Sequence, residues 1–122
     1  MDEDYVTRAE TAVKNLDKDR SGKFILTTSK IRSLMSMMNS IYNDALTETE
    51  TTLSPELSKR VQHMNVRMVY EAGREDSVKD FLNKTRLRDE LNKVGDDRAK
   101  FLDFCRYFEA LVAFHRFQGG ND

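Results

Sequence analysis

Few side chains in this 122-residue sequence have the types and spacing that catalysis needs. The two histidines, His63 and His115, stand far apart, and neither has a cysteine or carboxylate at metal-ligand spacing. The single cysteine, Cys105, excludes an internal disulfide. It falls on an apolar helical stripe with His115, which favours a buried, inert thiol and a core histidine over a nucleophile and its base. Asp17-Lys18-Asp19-Arg20-Ser21-Gly22 imitates the opening of a calcium loop, with oxygens at positions 1, 3 and 5 and glycine at 6. Position 12, where a bidentate glutamate belongs, is Thr28, and Lys18, Arg20 and Lys23 would repel the ion. A helix-ending turn with Gly22 in a left-handed conformation accounts for the same residues. No phosphate-cradling glycine loop and no Gly-x-Ser-x-Gly occurs. The reading is therefore no catalytic residue, no metal and no cofactor.

Cations beside aromatics are the more informative pattern. Arg67, Tyr70 and Arg74 close one predicted helix, Lys79 opens the next, and Arg106-Tyr107 and Arg116-Phe117 lie on the last. Such residues could hold a phosphate backbone without reading bases. Ordinary surface pairs, Arg106 with Asp103 or Glu109 and Arg74 with Asp76, account for them more simply.

These side chains must be carried by helices. Glycine is scarce and Pro55 is the only proline, which argues against a turn-rich sheet fold. The hydrophobic share is 39% and the charged share 34%, a balance that suits amphipathic helices with charged outer faces. Helical periodicity predicts five helices, over about 4–16, 29–46, 55–72, 77–93 and 98–117, with a polar loop at 47–54. The expectation is a compact all-α, five-helix, bundle-like single domain covering 1–122. Ser54-Pro55-Glu56 is a strong helix start, and Gly73 and Gly95 are placed to end helices. Thr47–Leu53 reads as the mobile linker, and the residues after Phe117 as a frayed tail.

The last helix organises the rest. Five of the seven phenylalanines lie in KFLDFCRYFEALVAFHRF, and with Arg98 just before it the charges along the helix are Lys100, Asp103, Arg106, Glu109 and Arg116. A helix so apolar must be covered on more than one side, by the other helices or by a partner. Self-association through this surplus, or exchange of helices across the linker, is open.

The net charge of −1 leaves no overall basic footprint for nucleic acid, although twenty basic residues can still segregate onto one face. The acidic N-terminus lacks signal-peptide character, and no apolar run reaches the roughly 20 residues that span a bilayer. A cytoplasmic protein is expected, with no membrane partner.

Several stretches together resemble one family. They are Tyr5-Val6 and Ala9-Glu10, Leu26-Thr27-Thr28-Ser29-Lys30-Ile31-Arg32, Val69-Tyr70-Glu71-Ala72-Gly73-Arg74, Val78-Lys79-Asp80, and Phe104 through Phe114 with Phe117 and Gly119-Gly120. The chain is similar to the small subunit of type III-A CRISPR effector complexes, the Csm complex. The likeness runs in order along nearly the whole chain. Thr47–Leu53 lies outside it, and Gln118 stands where a tyrosine is expected. The resemblance implies a small all-helical protein with no activity of its own. It implies several copies stacked beside the backbone subunits that hold the guide, with the large subunit, target RNA and guide RNA as further partners. It also makes basic residues in the matching stretches candidate RNA contacts: Arg32, Arg74, Lys79 and Arg106, then Arg67 and Lys30. The competing reading is a helical protein–protein interaction module without direct nucleic-acid contact.

Overall fold

The computed structural model describes residues 4–122. Among them are six helices: α1 Tyr5–Lys14, α2 Thr28–Thr47, α3 Pro55–Arg74, α4 Asp76–Thr85, α5 Leu87–Val94 and α6 Arg98–Phe117. Helix α6 is the spine. Helices α1, α2 and α5 all pack on it; α3 packs on α2, α4 and α5, and α4 also meets α1 and α5. Phe101, Phe104 and Phe108 stack along α6 with neighbouring ring centroids 6.2 Å apart, and Phe81 of α4 meets Phe108 at 6.3 Å. Each such ring taken out of water contributes about 1.5–3 kcal/mol before entropy is counted. The apolar surplus of α6 is thus spent inside the chain. Only Phe117, 82% exposed, is left out in solvent.

The expected fourth helix, 77–93, is two helices, so the domain has six and not five. The sequence has no glycine or proline at the break, but the apolar phase shifts there. Val78, Phe81, Leu82 and Thr85 share one face, and that face continued regularly would not carry Leu87, Leu91 and Val94. All seven are buried. The chain resets the phase at Arg86, which takes a left-handed conformation (φ 56°, ψ 29°). The Thr85 hydroxyl donates to the Phe81 carbonyl and accepts from Leu87 N–H, and the Tyr107 hydroxyl takes the Thr85 carbonyl at 2.7 Å.

Other boundaries follow local chemistry. Ser54 caps α3 by accepting from Leu57 N–H, with Pro55 at the first position, and Asp97 caps α6 by accepting from Lys100 N–H. Gly95 ends α5 as expected. Gly73 does not end α3; the helix runs through it to Arg74, and a single extended residue, Glu75, joins α3 to α4. Neither Asp76 nor Ser77 caps α4, because the cap position is Glu75. Helix α1 is shorter than predicted at both ends, and acidic residues 2 and 3 before it lie outside the described residues.

Two segments expected to be loose are tied down. In 47–54, Thr51 accepts from Arg98 N–H and Leu53 N–H donates to Asp96, both backbone to backbone, and Leu53 is buried. The linker is thus stapled to the α5–α6 joint. In the tail, Gly120 N–H donates to the His115 carbonyl at 2.7 Å and the Asn121 carbonyl accepts from Thr28 N–H at 2.9 Å. Gly120 lies so close over the His115 ring that an added Cβ would sit 2.2 Å from Cε1.

Candidate nucleic-acid interface

The Asp17–Gly22 segment is a turn whose oxygens are already engaged. Asp19 Oδ1 accepts from Ser21 N–H, Ser21 hydroxyl and Lys23 N–H, which holds the Asp19 carboxyl below its ordinary range. Asp17 bonds the Lys84 ammonium at 2.9 Å, and that hydrogen bond likewise lowers the Asp17 carboxyl. Among the described residues, no three of His, Cys, Asp and Glu gather into a metal-binding group. Cys105 is buried, and burial pushes its thiol up to about 12. His115 is buried under the tail beside Phe24. Its Nε2 bonds the Leu26 carbonyl at 2.8 Å, and because a carbonyl only accepts, Nε2 carries the proton. The histidine expected to be fully satisfied is only half so: Nδ1 is buried without a partner, and burial lowers the ring's affinity for a second proton.

The predicted cations fall into one cluster and three outliers. Arg67 and Arg74 lie about two turns apart on α3 and share two groups. Glu71, buried at 6% exposure, takes Arg67 at 2.9 Å and Arg74 at 3.7 Å. Both guanidinium carbons lie over the Tyr70 ring, at 4.9 Å and 5.6 Å from its centroid. Arg74 therefore pairs with Glu71, not with Asp76. Lys30 joins this region from the start of α2, its ammonium 2.8 Å from Glu75, whose carboxyl is held low by that bond. Lys30 is thus a tie between α2 and the α3–α4 joint. The other three stand apart. Lys79 is exposed on α4, its side chain without a hydrogen bond or ion pair among the described residues, and the Arg32 side chain is the same on α2. Arg106, on α6, pairs with Asp103 at 3.0 Å, the intrahelical alternative seen in the sequence.

Two features escaped the sequence reading. Val66, Val69 and Tyr70 are 61%, 50% and 52% exposed and recur at helical spacing, so α3 shows an apolar stripe to solvent beside its arginines. Beyond Val69 a groove between α3, α4 and α5 is lined by Lys79, Arg86 and Arg88. The apolar phase shift at Arg86 is the signal in the sequence that points to this groove.

The arrangement defines an all-helical domain whose exposed chemistry includes guanidinium, ammonium and an aromatic face. Comparison with known proteins makes the class particular. A family model for Csm2 Type III-A matches residues 2–121. The chain is 42% identical over 99% of its length, and 96% of the relative's, to the CRISPR system Cms protein Csm2 of Streptococcus thermophilus. It is 38% identical over its whole length to the protein of that name from Mycobacterium tuberculosis (strain CDC 1551 / Oshkosh), covering 97% of it. The match to the Enterococcus italicus protein is 39% over 80% of this chain and 71% of the relative. The chain belongs to the Csm2 Type III-A family, which bears out the resemblance read from its sequence. No helix among the described residues is long and apolar enough to cross a membrane.

Proposed function

We propose that this protein is the non-catalytic small subunit of a type III-A CRISPR RNA-guided complex and works in antiviral defence in the cytoplasm. Several copies stack beside the guide-holding backbone subunits and contact the target RNA–guide duplex through basic side chains. Membership of the family supports the place in the complex. The observation that carries RNA contact is the α3 cluster, where two part-exposed guanidinium groups flank an exposed tyrosine and are anchored by one buried carboxylate. Arg74, Arg67, Arg32, Lys79, Arg106 and Lys30 are the residues proposed to act. Contacts of this kind are electrostatic and indifferent to sequence, since guide pairing does the reading. One copy offers a few phosphate contacts, and linked copies gain by effective concentration.

The exposed Val66–Val69–Tyr70 stripe favours a second reading, in which α3 docks a neighbouring protein and its arginines only make surface pairs. Salt separates the two. Target-RNA capture by the assembled complex should fall steeply with salt, and Arg74→Glu and Arg106→Glu should each weaken it on the order of ten-fold while circular dichroism shows the helices intact. Capture that is insensitive to both substitutions and to salt would leave the protein-docking reading.

A further inference from the structure

Arg86 is the one non-glycine residue with positive φ among the described residues. An arginine gains nothing locally from a left-handed backbone, where glycine would sit without strain. The backbone there is forced by its surroundings. Thr85 is tied on both sides of the turn, Tyr107 holds the Thr85 carbonyl, and Leu87 is wholly buried. The side chain is under no such demand: it is 75% exposed, and its ion pair to Asp89 is long, at 3.9 Å. The strain is therefore tolerated with the one side chain that the turn itself least needs, and a strained residue that packing does not use points to use elsewhere.

Arg86 stands where the α3–α4–α5 groove meets two others, one against α1 and Tyr107 and one against Arg8, Glu90 and Lys93. In the first groove, of about 570 Å³, Lys79 and Arg88 are its cationic neighbours, and Asp76 and Asp89 are the opposing carboxylates. Arg88 is steadied by donating Nε–H to Asn65 of α3 at 2.7 Å. Val69, Ala72 and Gly73 of α3 form the opposite wall, adjoining the face that carries Tyr70 and Arg74.

We propose that Arg86, with Lys79 and Arg88, forms a second grip on an RNA phosphodiester backbone, continuous round α3 with the Arg67–Tyr70–Arg74 cluster. This rests on the RNA-binding reading given above. A guanidinium suits the role because its planar fork can take two phosphate oxygens at once.

Arg86→Gly tests it, because glycine keeps the turn and removes only the charge. In the assembled complex, target-RNA capture should weaken several-fold. The log–log salt slope should become shallower by about 0.7 for each copy that makes the contact. The melting temperature of the free subunit should be unchanged or raised, and Arg86→Lys, which keeps the charge but not the fork, should capture more than Arg86→Gly and less than the natural arginine. Unchanged capture and slope in Arg86→Gly, while Arg74→Glu still weakens both, would overturn this site alone. Unchanged capture in both variants would overturn the RNA reading itself. A lowered melting temperature, or failure of Arg86→Gly to enter the complex, would assign Arg86 to the fold or to a protein contact and overturn the proposal.

Discussion

Helix α6 and the second half of α3 are both rich in apolar and basic residues. Along α6, Phe101, Phe104, Cys105, Tyr107, Phe108, Leu111 and His115 are all buried. Its exposed Arg106 is paired on the same helix. Along α3, Met64 and Met68 face inward while Val66, Val69 and Tyr70 face out among Arg67 and Arg74. Helix α6 has neighbours on several sides, so its wide apolar face is used up within the chain. Helix α3, packed on α2, α4 and α5, leaves Val66, Val69 and Tyr70 uncovered in solvent. An apolar surplus in a sequence therefore does not mark an interface by itself. What marks one is where the element sits.

The largest effect should come from α6. Phe108→Ala, at a fully buried ring touching Phe81 and Phe104, should cost about 3–5 kcal/mol in urea denaturation. A loss below about 1 kcal/mol would show that α6 is not the spine. Next is the tail over the same helix. Gly120→Ala places a methyl group against the His115 ring, so stability should fall by about 1–3 kcal/mol, or the tail should detach. Hydrogen exchange at the Thr28 amide, which bonds Asn121, reports the detachment directly.

A smaller, pH-dependent effect follows from His115. Its proton affinity is lower folded than unfolded, because burial disfavours the charged ring. The unfolded chain thus binds the proton first as pH falls, and stability present above the ordinary value of 6.5 is lost on acidification below it. In His115→Gln that part of the acid sensitivity should vanish, while the part due to Asp17, Asp19 and Glu75, whose carboxyls are held low, persists at more acid pH. The smallest change in stability should come from the α3 stripe: Val66→Ser with Val69→Ser should move it by no more than about 0.5 kcal/mol per site. Their effect should appear instead in the entry of the subunit into the complex. A large loss of stability would erase the contrast between the two helices.

Much of this was legible in the residues. Ser54-Pro55 announced its helix through hydrogen-bonding chemistry that acts within one turn, and Cys105 and His115 were placed inside by period alone. The break at Arg86 was half legible: the apolar phase shifts, but no residue in Thr85-Arg86-Leu87 stops a helix, and the break is enforced by Tyr107, distant in sequence. The cations were recognisable as a type and not as a site. Arg67 and Arg74 converge on one tyrosine and one carboxylate, Lys30 is taken by Glu75, and Arg106 stays with Asp103.

By itself the sequence determined the helical class, most helix starts, the inward faces and the family, because periodicity, capping and matched stretches are local or linear properties. The tertiary structure decided which apolar face is covered, that the linker and tail are tied down, and which cations stand together. Those depend on helices distant in sequence meeting in space, and packing sets that against local propensity wherever the two disagree.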